Sequence, residues 1–424
     1  MKEKWWQAFI PKLVVCMRER YTWALFRQDL FAGMTVGLVS LPLTLAFAIA
    51  SGVSPEKGLF TAVVAGFLIS LLGGSRVQIG GPAGAFIVIV YGVVQRHGYE
   101  GLVLATIMAA GMLILMGFCR LGNLIKYFPL SLIRGLTAGL GVIVFSLQIK
   151  DFFGLPIDHV PLQFTRKWAL FTQHFFHFNF DFITLLLGIG TLFFILLLKR
   201  FFNYLPWGVT AIVVSTLISF SFGLDVESIY SRFGHIPNRL PTPSFPSFDW
   251  GMAYLLIPDA CAIALLGGIE SLLSAVMGDK LTGCKHKSNC ELLAQGIANL
   301  GSIIFGGIPA TGTIARTAAN IHSGAATPIA GIIHSLTILV VMLFFSSLVG
   351  YIPMPALAAV IMVVAWNLAE PSHFLRGFRQ PKIDLIIMLT TFSLIILTNL
   401  LTGVLAGMGV WGAAQIFQKW KAIA

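Results

Sequence analysis

Apolar stretches long enough to cross a lipid bilayer follow one another along this chain, and two of them are broken in the same way. One break is GGIPATGTIARTAANIHSGAATP, residues 306–328, which carries Gly306, Gly307, Pro309, Gly312 and Gly324 and a single arginine, Arg316. The other is GGSRVQIGGPAGAFIVIV, residues 73–90: a glycine pair, a short extended piece, then Gly-Pro opening an apolar helix. An uninterrupted membrane helix is not written like this. Backbone that leaves helical geometry at membrane depth must be buried in protein or line a wet cavity. Two such breaks at corresponding places in two halves of a chain point to the binding site of a secondary transporter.

Composition agrees. Of the 424 residues, 57% are hydrophobic and 11% charged, against about 25% charged in soluble domains. At roughly 20 residues per span with short loops, the chain has room for about fourteen spans. The formal net charge of +11 reads as basic cytoplasmic loops rather than a nucleic-acid surface. Cys16, Cys119, Cys261, Cys284 and Cys290 are odd in number and scattered, so no disulfide framework is expected. Cys284, His286 and Cys290 complete no tetrahedral metal set. Residues 1–28 form a basic amphipathic segment with Trp5, Trp6 and Trp23, expected to lie along the inner membrane face without a cleavable signal.

Fourteen hydrophobic segments are expected. Seven lie at 29–52, 58–73, 82–95, 101–118, 129–149, 181–198 and 205–223. Seven more lie at 253–277, 289–305, 312–322, 327–350, 354–368, 383–399 and 401–418. The third and tenth are too short to span alone, which suits half-helices preceded by extended backbone. The polar, Pro-rich stretch 224–250 connects a first repeat at 29–223 to a second at 251–424. Loop 150–180, with Trp168 and a run of phenylalanines, is expected to form an interfacial helix on the outer face. With both termini cytoplasmic, nineteen of the 28 Lys and Arg fall inside. Seven fall outside: Lys57, Arg96, Lys150, Arg166, Lys167, Arg232 and Arg239; Arg134 and Arg316 remain within spans. The expected fold is an all-α integral membrane protein of fourteen transmembrane segments in a 7+7 inverted repeat. Its two broken half-helices, segments 3 and 10, meet at the midplane, an arrangement that makes alternating access available.

The half-helices are expected to start near Pro82 and near Gly312 or Thr313. A helix start leaves N–H groups unpaired and carries about half a positive charge, so two facing starts form an anion site from backbone. Ala83, Gly84 and Ala85 allow close approach of a ligand on one side. Gly312 and Thr313 do so on the other, with the Thr313 hydroxyl as a further donor. Arg316, one turn on, would add positive potential or pair with a carboxylate. In segment 8, Glu270 lies among apolar residues with Ser274 one turn on. A carboxylate there is paired with Arg316 or Arg134, protonated, or bound to a cation, which makes it the candidate proton or cation coupling site. Asp259, nearer the outer end of that span, is expected to face solvent. Phe47, close to Pro42 and Thr44, is a candidate wall of the anion pocket. His174 and His177 lack a third metal ligand, and GGPAGA lacks the strand-and-helix context of a dinucleotide loop. No Ser-His-Asp or phosphate-loop pattern is legible, so neither an enzyme nor a cofactor is expected.

The residues that carry this reading also resemble a known family. LPLTLAFAIASGVSPEKGLFTAVVAGFLISLLGGSRVQIGGPAGAF, residues 41–86, resembles the signature of the sulfate permease (SulP) family of anion transporters. GGIPATGTIARTAANI followed by TPIAGIIH is similar to that family's tenth-helix region. The resemblance covers essentially the whole chain and implies the 7+7 arrangement shared with nucleobase transporters. It implies a core domain (spans 1–4 and 8–11) moving against a gate domain (5–7 and 12–14), and a homodimer. It implies anion contacts at Phe47, Ala83 and the stretch Thr313, Ile314, Ala315, Arg316. It places Glu270 and Ser274 where sodium-coupled bicarbonate members bind their cation, with Gly312 and Ile314 at that site's tenth-helix positions. Ile314 offers no hydroxyl where those members have threonine. Leu43 stands where some bacterial members carry a glutamate used with protons, so proton coupling would fall to Glu270. The family usually continues into a cytoplasmic STAS domain, whereas this sequence stops at Ala424, just after the last span. The expected function is proton- or sodium-coupled transport of a small anion by an elevator-like motion, in a cell inner (plasma) membrane. Sulfate leads; bicarbonate or a small dicarboxylate such as succinate or fumarate comes next. Other readings are an uncoupled anion channel or voltage-responsive motor, and a nucleobase symporter, which the tenth-helix motif opposes.

Overall fold

The structure is a computed structural model that describes residues 5–19, 21–123, 129–157, 160–202, 206–244, 250–379 and 381–423. The side chains of Trp5, Trp6, Lys419 and Lys421, Lys126, and residues 245–249 of the connector lie outside the described residues.

A 3-10 turn (Trp5–Phe9) and helix α1 (Lys12–Arg18) open the chain, followed by α2 (Trp23–Ala50) and α3 (Pro55–Leu72). Strand β1 (Gly80–Gly81) leads through a 3-10 turn (Gly84–Phe86) into α4 (Ile87–Phe118). Helix α4 contains both the third and fourth expected segments, which Gly98 separates at φ 68°, a conformation that suits glycine. Next come α5 (Leu130–Leu147), the short α6 (Ile149–Phe153), α7 (Phe164–Phe176), α8 (Phe182–Phe201) and α9 (Trp207–Ser221). The connector holds α10 (Ile229–Phe233). The second half runs through α11 (Trp250–Thr282), α12 (Ser288–Ile304), strand β2 (Thr311–Gly312), α13 (Ile314–His322), α14 (Ile329–Val349) and α15 (Met354–Ala369). It ends with the short α16 (Pro371–Gly377), α17 (Lys382–Leu397) and α18 (Leu400–Ile423).

Every expected segment falls on a helix. Among the described residues, nine helical stretches are long and apolar enough to cross a bilayer by themselves. The stretch 84–118 accounts for two segments, while α9, α12, α13 and α17 are shorter. Helix α12 is short of apolar length because it presents Asn289, Glu291, Gln295, Asn299 and Ser302 to the interior.

Helix packing reveals the repeat. If each first-half segment is matched to the one seven places later, pairings occur in matched sets. Helix α12 packs on the later part of α4, and α14 packs on α3; α14 packs on α2, and α11 on α4. In the same way α17 on α5 matches α15 on α8, and α8–α9 matches α17–α18. The contacts that map onto themselves are α3–α12, α5–α15 and the strand pair β1–β2. An odd number of segments per half turns the second copy over, and the two short strands accordingly run antiparallel.

Both ends of the first expectations about loops need adjustment. The N-terminal segment, expected to lie along the membrane, is fastened to protein: Lys12 N–H donates to Gly73 O at 2.9 Å, and Lys287 Nζ to Gln7 O at 2.7 Å. Arg76 pairs with Glu19. Loop 150–180 does form a helix, α7, but Lys167 on it is only 1% exposed rather than an outer-loop charge in water. Asp259 likewise does not simply face solvent; it pairs with Arg96 at 2.8 Å. The third helix starts near Pro82 as expected: the first turn begins at Gly84 with Ala83 as an extended N-cap, and the Pro82 carbonyl accepts from Arg316.

Candidate anion-binding site

The two broken segments come together as the sequence expects, through β1 and β2. Gly80 pairs with Gly312 and Gly81 with Thr311, so two glycines on one strand face a glycine and a threonine on the other. Such short strands need side chains to hold them. Helix α13 supplies these from one face, at the i, i+3, i+4, i+7 spacing that lines up along a helix. Thr313 N–H donates to Ile79 O at 2.9 Å. Arg316 Nη2 donates to Pro82 O at 2.9 Å. Ile79 N–H donates to Thr317 Oγ1 at 3.1 Å, and Asn320 Nδ2 donates to Val77 O at 2.9 Å. Four residues of one half thus grip the extended segment of the other.

The predicted anion-site residues converge here. Ala83, Ala85 and Thr313 are buried, and Gly84 is half-buried. A Cβ on Gly84 would lie 3.5 Å from Phe47 Cζ, so Phe47 closes over that helix start. The Arg316 guanidinium carbon sits 5.7 Å from the centre of the Phe47 ring, within cation–π range. Arg316 is 4% exposed, and its Nε and Nη1 atoms have no hydrogen-bond partner. Gly81, at φ 152°, is glycine for a local reason: a Cβ there would stand 2.6 Å from Arg316 Nη1. Ala315 and Ile314 face away from the strand pair and are exposed.

On α11, Ser274 Oγ lies 3.0 Å from Thr317 Oγ1, joining that helix to the gripping face of α13. Glu270 Oε2 is buried without a hydrogen-bond partner. Among the described residues Glu270 forms no direct ion pair with Arg316 or Arg134, although the Arg316 charge lies near enough to act on it. Gly312 is covered by Gln78, whose Nε2 donates to Ser271 Oγ at 2.9 Å and Ser271 O at 3.1 Å.

The profile of the sulfate permease family matches residues 26–391. The chain belongs to the sulfate permease family. YvdB of Bacillus subtilis (strain 168), whose name carries sulfate transport as a provisional assignment, is 42% identical over 385 residues, which is 90% of this chain and 72% of YvdB. The bicarbonate transporter BicA of a Picosynechococcus species is 32% identical over 406 residues, 91% of this chain and 69% of BicA. The solved transmembrane domain of a cyanobacterial BicA superposes with a TM-score of 0.81 at 30% identity, over 91% of this chain and 99% of that one. SLC26A9 superposes with a TM-score of 0.86 at 19% identity, over 97% of this chain and 68% of that one, a likeness of fold. Membership in a family of permeases makes the chain a transport protein and not an enzyme.

Several residues of this permease's site escape sequence reasoning. Gln78, Thr317 and Asn320 are ordinary polar residues in the sequence, and their roles follow from strand pairing across more than 190 positions. The available signal was the spacing of Thr313, Arg316, Thr317 and Asn320. His334, fully buried in α14 with neither ring nitrogen bonded, carried no motif at all. A Ser–His–Asp arrangement, not legible in sequence, does occur in the α11–α12 turn. Asp279 Oδ2 lies 2.6 Å from His286 Nδ1, and Ser288 Oγ lies 2.9 Å from His286 Nε2. The same Asp279 oxygen accepts the His286 backbone N–H at 3.1 Å, so the group fastens that turn.

Proposed function

We propose that this permease is a secondary active transporter of small oxyanions, sulfate ahead of bicarbonate or a short dicarboxylate. Transport is driven by a proton or sodium gradient through elevator-type alternating access. The observation that carries this reading is Arg316, buried beside two half-helix starts with Nε and Nη1 unbonded. Idle donors on a buried guanidinium are costly, and an anion in the site satisfies them. The planar fork suits an oxyanion, and both helix starts direct positive potential toward the same place. The names of YvdB and BicA support the oxyanion class. The unpartnered oxygen of Glu270 supports its role as the proton or cation carrier, with Ser274 and Gly312 beside it. The matched packing of the halves supports alternating access, with spans 1–4 and 8–11 moving against spans 5–7 and 12–14. The reading takes the repeats as 29–223 and 251–424, joined by 224–250; the bias of Lys and Arg supports cytoplasmic termini on a protein of a cell's inner membrane. The reading includes a homodimer, which mass measurement in detergent tests.

The deciding experiment is uptake of labelled sulfate, bicarbonate and succinate into proteoliposomes under imposed proton or sodium gradients. Arg316→Ala removes two donors, at about 1.5 kcal/mol each, so anion affinity should fall roughly 100-fold. Glu270→Gln should leave anion binding in place while abolishing gradient dependence. Equal anion movement with and without a gradient, unaffected by Glu270→Gln, makes the protein a channel instead.

A further inference from the structure

A cavity of about 400 Å³ lies apart from the strand pair, on the face away from the chain termini. It begins at Val88 and Ile89 on α4, and at helical rise this is about 8 Å beyond Gly84. Its wall includes Arg96, Lys167, Asp259, Asn399 and Thr402. Arg96 stands at the mouth and is already neutralised by Asp259 at 2.8 Å, while its Nε donates to Gly92 O. Lys167 is different. It is 1% exposed, and among the described residues its hydrogen-bond partner is Ser146 Oγ at 3.3 Å, a hydroxyl that itself donates to Ile143 O. An ammonium has three N–H donors, so one bond leaves donor capacity unused on a residue that lines the cavity. Among the described residues no carboxylate pairs with it. Of the described residues on the cavity wall, only Arg96 and Asp259 are otherwise charged, and they cancel each other.

We propose that Lys167 forms a second anion site, an antechamber that holds a small inorganic anion on its way between the outer face and the Arg316 site. A buried cation without a counter-charge raises the local concentration of anions, because the low-dielectric walls focus its field. The cavity is large enough for a partly hydrated sulfate or bicarbonate. Burial also lowers the Lys167 amine to about 8, so its charge is present below that pH and fades above it. The α5 contact is the neutral Ser146, and the α17–α18 residues on the wall are uncharged.

This inference rests on the transport reading, and its test separates the two. Uptake of labelled sulfate and bicarbonate is measured in right-side-out and inside-out vesicles for wild type, Lys167→Met and Lys167→Arg, each checked for a normal thermal midpoint. Lys167→Met should raise the half-saturation concentration roughly tenfold from the outer face only, with maximal rate and inner-face affinity near wild type. Lys167→Arg should restore outer affinity. In wild type that affinity should weaken as pH rises through 8, and in the arginine variant it should not. Unchanged outer affinity in a folded Lys167→Met, or equal losses from both faces, overturns the proposal. If wild type moves neither anion, transport fails first, and anomalous diffraction from crystals grown in bromide decides the site. A peak beside Lys167 Nζ that vanishes in Lys167→Met upholds it; its absence in wild type overturns it.

Discussion

A Cβ on Gly312 would stand 1.5 Å from Gln78 Nε2 and 2.5 Å from Gln78 Cδ, and that amide is held by two bonds to Ser271. Gly312→Ala must therefore expel the Gln78 side chain and orphan its partners, at about 1–3 kcal/mol. It should lower the thermal midpoint and reduce anion uptake. Gln78→Ala should cost less, and the double variant should recover part of the loss, because the clash is gone. Non-recovery in the double variant would show that Gly312 matters for its backbone toward the anion instead. The contrast with Arg316 shows what sequence can deliver at this scale. Arg316 and Glu270 were legible because a charge inside an apolar segment has few reasons to be there. Gln78, Thr317 and Asn320 were not, since each bonds to a partner more than 190 positions away and nothing local marks it. Ile314 offers no hydroxyl beside Ser274, whose hydroxyl partner is Thr317 Oγ1 at 3.0 Å.

At the scale of elements, the loop between α13 and α14 is anchored by α2. Asp29, fully buried, accepts the N–H groups of Ala326 at 2.8 Å and Thr327 at 3.0 Å, and Tyr21 OH donates to its other oxygen at 3.0 Å. A carboxylate from one span thus satisfies backbone donors of a buried loop that have no helical partner. Asp29→Ala should destabilise the protein by about 3 kcal/mol, seen as a lower melting midpoint in detergent, whereas Tyr21→Phe should cost about 1 kcal/mol. One turn on from Asp29 the packing is close: a Cβ on Gly33 would lie 2.4 Å from Ala330 O, so α2 and α14 meet with no side chain between them there. Element positions were the most legible part of the fold, because a span must be apolar over a fixed length. The third helix starts at Gly84, near Pro82 as expected, but nothing in the sequence shows that Arg316 takes the Pro82 carbonyl.

For the whole molecule, the turned-over repeat was legible from parity and the bias of basic residues, and the matched helix pairings agree with it. Lys167 was not legible, because a lysine in an outer loop looks solvated until α5 is packed against it. The proposed orientation can be checked without mutation. Cys119 is exposed at the end of α4 on the face of the termini, and Cys284, half-buried, lies on the same face. A membrane-impermeant maleimide should label them in inside-out vesicles and leave intact cells unlabelled; the reverse pattern would invert the topology. The gripping face of α13 carries a further consequence for anyone recombining relatives. Residues 77–82 and 313–320 are two parts of one lock, joined by five hydrogen bonds between the halves of the chain. A chimera that swaps only one part brings a foreign key to it, so interchangeable cassettes in this family are expected to be pairs of distant segments rather than contiguous halves.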